Sequence, residues 1–458
     1  MGFDLNGLLD ARRGEGYELH GRHVNHQVPR MLHAIGFDKE YERAEGAYLW
    51  DRAGTRYLDY LAGFGVFGVG RNHPVVREAL RTVIDGELAD MVQFDCPLLA
   101  GLFAEQLLAK APGLERAFFC NSGSEAVEAS LKYARCATGR GRIVYADHAY
   151  HGLTAGSLSV NGAEEFRAGF APLLPDTRIP FGDLEALERE LKKGDVAAFL
   201  VEPVQGKGVY VSPPGFLGAA QRLLHKYGAL LICDEVQCGI GRTGRFFAYQ
   251  HEDDVEPDIV TVAKALSGGF VPIGATLTKK WVFEKVYSSL DRVFVHASTF
   301  AGNALAMAAG LATLAVIEDE GLIANAERTG LALRTGLQAM AERYELISEI
   351  RGRGLMIGIE FGKPRGLKLR GGWNMLQAAR HGLFAQMVVV PLFQRHHILT
   401  QVAGDHIDVI KLIPPLIIGE PEVSTFLESF GELMDDAHGG RGLIWDFGRT
   451  LVKQALIR

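Results

Sequence analysis

An aspartate closing one apolar run and a lysine closing the next are the groups in this chain best placed to do chemistry together. The first run, Ala229 to Cys233, stops at Asp234 and continues through Glu235-Val236-Gln237 into Cys238-Gly-Ile-Gly-Arg242-Thr-Gly244. The second, Asp258-Ile-Val-Thr-Val262, leads through Ala263 into Lys264 and then Ala-Leu-Ser-Gly268-Gly269. Short apolar runs bounded by turn residues read as buried strands of a parallel sheet. Ligands of such sheets sit beyond the carboxyl ends of the strands, where both groups fall. A lysine between an apolar strand and a Gly-Gly turn is oddly placed for a solvated charge. Its natural chemistry there is that of an amine nucleophile, which condenses with a carbonyl carbon to form a Schiff base. Taken singly, each residue has a plain structural explanation, Asp234 as a strand cap and Lys264 as a surface charge.

Holding two such groups side by side takes a sheet with its connecting helices, and the chain has the length for one. Its 458 residues are 48% hydrophobic and 22% charged, an ordinary globular composition with room for two or three domains. Formal net charge is -7, from 48 Lys and Arg against 55 Asp and Glu, which is not the balance of a nucleic-acid binder. Five cysteines, at 96, 120, 136, 233 and 238, make no CxxC pair and no metal-ligand spacing. Cys120, Cys136 and Cys233 sit in apolar patterns and read as small core residues, and the odd count suits a reducing, cytoplasmic compartment. The first residues, Met-Gly-Phe-Asp-Leu-Asn, lack a basic region followed by an apolar core, so no secretory signal is expected. No apolar run of about 18 residues occurs, so no transmembrane helix is expected.

The rest of the chain supplies the positioning elements. His20, His23, His26 and His33 lie in an irregular N-terminal stretch without the companion ligands of a zinc site. Residues 45–59 read as a hairpin around an Asp51-Arg-Ala-Gly54 turn. A helical pattern runs from Val75 to about Lys110, with Val76, Leu80, Val83 and Ile84 on one face. Arg116 to Cys120 reads as a strand, after which Ser122 and Glu125 form a capping box that opens a helix. Amides at a helix start favour an anion, and Gly123 lets one approach the backbone. Further strands end at Ala146, before His148-Ala-Tyr150-His151, and at Val201, before Glu202. A surface helix between Gly182 and Gly194 carries Leu184, Leu187 and Leu191 on one stripe, and a small-residue helix covers about Ala304 to Glu318. In residues 441–458, Ile444, Phe447, Leu451 and Ala455 recur at helical spacing, the pattern of a docking helix for the enzyme's own surface, a partner or a membrane surface.

A lysine and an aspartate at adjacent strand ends are what pyridoxal phosphate requires: the lysine takes the aldehyde, and the carboxylate keeps the pyridine nitrogen protonated. The two motifs, Asp-Glu-Val-Gln-x-Gly-x-Gly-Arg-Thr-Gly and Pro-Asp-Ile-Val-x-x-Ala-Lys-Ala-Leu-x-Gly-Gly, together resemble the class III (ornithine/ω-amino acid type) aminotransferases. The resemblance covers roughly residues 40 to 430. It implies an α/β, aspartate-aminotransferase-like fold (PLP fold type I), with a large mainly parallel sheet domain and a smaller α+β domain. The expected division is 1–75 as an N-terminal segment joining the small domain, 76–325 as the large domain and 326–440 as the C-terminal small domain. It also implies a cytoplasmic homodimer with shared active sites, whose substrates are a small amine and an oxo acid or aldehyde.

Residue by residue, the resemblance gives Lys264 the Schiff base and the proton transfer, and Asp234 the pyridinium. Gly123 and Ser124 would hold the phosphate, Tyr150 and Val236 the two ring faces, and Gln237 the ring hydroxyl. Glu202 matches a carboxylate bonded around the cofactor, and Thr299 sits in a loop that crosses to the partner's phosphate. The segment with Phe64 and Phe67 runs past the substrate entrance, where each could equally be core. Fold does not fix chemistry, so an aminomutase or racemase stays open, as does a catalytically silent relative. Intact Lys264, Asp234 and Gln237 argue against silence. Two departures bear on the substrate. Lys207 stands where the family commonly has glutamate, and Lys411 where it has the arginine that grips an α-carboxylate. Lysine lacks the bidentate fork of arginine. The expected substrate is therefore a terminal amine or aldehyde on a longer, partly apolar chain, with Lys411 or Arg242 left to hold an acidic cosubstrate.

Overall fold

The apolar runs assemble into one seven-stranded sheet, seen in a computed structural model that describes residues 2–439 apart from positions 91, 93, 380 and 405. The expected tail helix, residues 441–458, lies outside the described residues. In spatial order the strands are Arg116–Cys120, Gly274–Thr278, Ile259–Val262, Leu230–Asp234, Val196–Val201, Arg142–Ala146 and Thr177–Ile179. Gly274–Thr278 is antiparallel to both neighbours, and the other pairs are parallel. The three central strands are buried at every position, which is why they are continuously apolar rather than alternating. Successive residues still serve opposite layers. Phe199, Leu231 and Val260 join one core cluster, while Leu200, Ile232 and Ile259 join another with Val127 and Leu131 of the helix Gly123–Thr138.

Register fixes the two chemical groups. Asp234 pairs with Thr261, so the carboxylate at one strand end lies three residues behind the lysine leaving the next. Two smaller sheets flank the large one. Tyr41–Glu45, Tyr48–Asp51 and Arg56–Asp59 form an antiparallel meander, to which Ile398–Leu399 adds in parallel. This pairing joins the N-terminal segment to the C-terminal part of the chain. The other sheet, antiparallel, contains Ile347–Arg353, Met356–Phe361, Val409–Leu412 and Gln401–Val402. It carries Lys411 opposite Gly358. Among the described residues no helix is long and apolar enough to cross a membrane.

Two expectations need correction. The single helix from Val75 to Lys110 is two, Pro74–Asp85 and Leu98–Ala109. Gly86 closes the first, and Pro97 restricts the residue before it and caps the second. Cys136 is exposed, because it lies on the outer face of its helix near the carboxyl end, with its thiol 3.5 Å from the Lys285 carbonyl oxygen. The helix Leu322–Arg343 runs unbroken through positions 325 and 326 and starts after Gly321, with φ 61°.

Candidate active site

Residues at or just beyond strand ends line a cavity of about 870 Å³: Tyr150 and His151, Glu202, Asp234, Val236 and Gln237, and Lys264. This is the position expected of a ligand site in an open α/β sheet. Asp234 is 3% exposed and fully bonded on its protein side. One oxygen, Oδ1, accepts from the Val236 amide at 3.0 Å and the Thr261 hydroxyl at 3.1 Å. The other, Oδ2, lies 2.7 Å from Nδ1 of His151. His151 Nε2 is buried with no hydrogen-bond partner among the described residues.

Lys264 starts a short 3-10 turn that Gly268 ends, and its φ of 47° lies in the left-handed region. Such a conformation costs a non-glycine residue energy, so the surrounding packing must hold it. Burial pushes its amine below the ordinary lysine pKa, while Asp234 and Glu202 pull it back up. Glu202 accepts from the amides of Gly206 at 2.8 Å and Tyr150 at 3.1 Å. Its pKa is raised, by burial first and the Asp234 charge after it, against the opposing pull of His151.

The helix Gly123–Thr138 points its first turn at the cavity. Ser122 Oγ accepts from the Glu125 amide at 3.2 Å, and the Glu125 carboxylate reaches back to the Asn121 amide at 2.7 Å, one residue beyond the expected box. A Cβ on Gly123 would come within 2.8 Å of Val236 Cγ1, so glycine here permits the close packing of helix start against the Val236 wall. Tyr150 lines the cavity with its ring edge-on to Phe166, centroids 5.5 Å apart.

Gln237 donates to the Phe64 carbonyl at 2.9 Å and accepts from Lys411 Nζ at 3.0 Å. Lys411 also donates to the Gly206 carbonyl at 2.8 Å. It is only 5% exposed, and burial together with the nearby Lys264 pushes its pKa down to about 7. Lys207 points elsewhere, into an ion pair with Glu165. The two lysines therefore avoid repulsion by taking different partners. A lysine whose folded pKa is about 7, against 10.5 ordinarily, leaves the unfolded chain binding more protons between those values. Stability from this group accordingly rises with pH across that window, by up to about 1.4 kcal/mol per pH unit. Thermal melts at pH 7, 8.5 and 10 are expected to show Lys411→Met losing that rise. A difference from wild type that stays constant with pH would contradict the assignment.

Phe64 lines the cavity and is 55% exposed. Phe67 does not line it. Its ring lies 3.9 Å from the Arg71 guanidinium carbon, packed behind the entrance segment. Thr299 is exposed and does not line this chain's own cavity. Arg242 is buried and donates to the carbonyls of Leu355 and Pro414. With desolvation lowering its pKa to about 9, it is a structural tie that does not line the cavity. The sequence carries no local sign of a role for Glu165. The pairing of His151 with Asp234 could be suspected from its place beside Tyr150, but the Glu165–Lys207 pair spans 42 positions and left no local signal.

These residues fit pyridoxal phosphate. The cavity brings together a desolvated amine, a buried carboxylate backed by an imidazole, and helix-start amides at separate points of one wall. The fold is that of PLP fold type I enzymes. It superposes on a transaminase from the marine bacterium Virgibacillus with TM-score 0.83 at 26% identity, covering 92% of this chain and 98% of that one. It superposes likewise on an ornithine aminotransferase from Toxoplasma gondii, TM-score 0.80 and 29% identity, covering 96% of this chain and all of that one. That structure has partial occupancy of PLP at its active site. Among curated proteins, the aminotransferase PigE of Serratia sp. (strain ATCC 39006) is 36% identical over 461 residues, which include 93% of this chain. The chain spans 54% of that relative's length. The pattern of the family Aminotransferase class-III matches residues 34–434. The chain belongs to the class III aminotransferases.

Proposed function

We propose that the chain is a PLP-dependent transaminase that moves an amino group between an amine and an oxo acid or aldehyde. The observation that carries this reading is the facing of the Lys264 amine and the Asp234 carboxylate into one cavity from adjacent strand ends. Gly123 and Ser124 hold the phosphate at the helix start. Asp234, oriented by His151, Thr261 and the Val236 amide, partners the ring nitrogen. Tyr150 and Val236 flank the ring, Gln237 meets its hydroxyl, and Glu202 fixes the Tyr150 and Gly206 backbone around it. When bound, the cofactor supplies an aldehyde for the substrate amine and an electron sink for the charge left on the substrate carbon. Lys264 provides the amine that anchors it and, once released, moves the proton at that carbon. Its lowered pKa makes the amine easier to deprotonate than an ordinary lysine, as a general base needs.

The molecule works as a cytoplasmic homodimer in which Thr299 reaches the neighbouring subunit's phosphate. Support comes from the exposed loop, which presents Phe294 and Phe300 to solvent at 55% and 62%. Thr299→Ala is expected to weaken cofactor retention by about 1.5–3 kcal/mol, the strength of one hydrogen bond to a charged group. Equilibrium dialysis against pyridoxal phosphate measures this, and unchanged retention would rule the contact out. Residues before about 75 and after the Gly321 turn form the smaller domain, packed beside the large one.

The preferred donor or acceptor is an amine or aldehyde on a longer, partly apolar chain, with Phe64 at the entrance. Lys411 engaged by two carbonyl groups of the chain supports this, since it offers no bidentate grip. Incubation of a ¹⁵N-labelled long-chain amine with an oxo acid tests the reading. Label appearing in the amino acid formed from the oxo acid is the expected result. Label confined to an isomer of the starting amine would indicate a mutase.

A further inference from the structure

The described residues lining the cavity include three lysines, Lys207, Lys264 and Lys411, and no arginine. On the function proposed above, Lys264 is committed to the cofactor. Lys411 is committed to Gly206 and Gln237. Lys207 is the remaining cation that a substrate's acidic end could reach, and its placement is closely controlled. Its stem runs across Gly404, where a Cβ would come within 2.5 Å of Cε and 2.7 Å of Cγ. Its amine is paired with Glu165 and lies 5.8 Å from the centre of the Phe166 ring.

Glu165 is itself held in place. It belongs to the short helix Glu164–Arg167, which Arg167 ties down by donating to the Ser159 carbonyl at 2.7 Å and the Tyr145 hydroxyl at 2.9 Å. Phe166, next in the chain, packs its ring edge-on against Tyr150. Burial pushes the Glu165 carboxyl up, yet the hydrogen bond and charge of Lys207, the backbone and His406 together hold it below its ordinary value. Glu165 is therefore an ionised group of the outer wall whose charge is spent on Lys207. An incoming carboxylate meets an engaged lysine and a like charge beside it. An uncharged tail meets Phe64, Phe166 and the lysine stem.

We propose that Glu165 is a specificity-determining residue, which by holding Lys207 turns this wall of the cavity away from a carboxylate at the far end of a long substrate and toward an uncharged, apolar tail. The assignment rests on the amine-and-carbonyl site proposed above, but its test does not require turnover. Hexanoate and hexan-1-ol share a chain length and differ in the charge of one end, so the ratio of their dissociation constants on the cofactor-loaded protein reports the discrimination directly. In Glu165→Gln, hexanoate is expected to tighten about tenfold relative to hexan-1-ol, on the scale of one charge-assisted hydrogen bond from the released lysine. Glu165→Asp, which keeps the charge, should return the ratio toward wild type. The double variant Glu165→Gln/Lys207→Met should lose the gain, because the cation that produced it is gone. A ratio unchanged in Glu165→Gln, or a gain that survives removal of Lys207, overturns the proposal. Failure of the labelled-amine experiment together with the expected binding ratios would sink the transaminase reading and leave this assignment standing.

Discussion

Lys264→Ala is expected to leave a folded protein that no longer fixes pyridoxal phosphate covalently on borohydride reduction. Turnover should fall by at least about 10²–10⁴-fold, the range for loss of a positioned acid–base group alone. Folding should survive because the lysine is held by its surroundings: the flanking Ala263, Ala265 and Leu266 are buried, and the turn closes at Gly268 without help from the amine. Alanine keeps a Cβ and with it the same φ of 47°, and the register of the sheet is set further back at Asp234 and Thr261. In wild type the reduced label should map to the peptide containing Lys264. Three other lysines, Lys207, Lys279 and Lys411, are engaged by Glu165, by Asp258, and by Gly206 with Gln237. Label recovered on any of these would overturn the assignment.

Asp234→Asn should be nearly as damaging to catalysis, with kcat lowered about 10²–10³-fold, the scale seen when one preorganised electrostatic partner is removed. The substitution keeps the shape but removes the negative charge that faces the ring nitrogen, and it puts an amide where His151 Nδ1 now meets an oxygen at 2.7 Å. It also withdraws a charge that raises the Lys264 pKa, so the amine should become easier to deprotonate than in wild type. The acidic limb of the pH–rate profile is thus expected to move to lower pH while the plateau drops. A variant with wild-type kcat would show that Asp234 merely caps its strand.

The placement of Asp234 and Lys264 on one cavity was legible because both lie at strand ends, where a single apolar run with an abrupt polar stop reveals position without any knowledge of partners. The same holds for Gly123 and Ser124, since a strand followed by Ser-Gly-Ser-Glu announces a helix start. What depended on long-range packing was not legible. Lys207 and Lys411 stand in the sequence as two departures bearing on the substrate, yet they point to different partners, and Glu165 comes from a distant segment. Arg242 follows Asp234 closely in sequence and reads as a site residue, but the glycine-rich turn carries it beneath the small sheet, onto the Leu355 and Pro414 carbonyls. Phe64 and Phe67 are three positions apart, and only the fold shows the first at the cavity and the second under Arg71. A continuous helical pattern likewise concealed the break at Gly86 to Pro97, because apolar spacing persists across it.

A single-turnover experiment tests most directly whether this cavity transfers amino groups through a bound pyridoxal cofactor. The loaded protein would be mixed with a panel of amines in the absence of any acceptor, and the cofactor released by denaturation and weighed by mass spectrometry. The account predicts that a long-chain terminal amine converts the aldehyde form of the cofactor to its amine form in one equivalent per subunit, and that adding an oxo acid converts it back. Persistence of the aldehyde form with every amine tested, while the protein still holds its cofactor on Lys264, would contradict it.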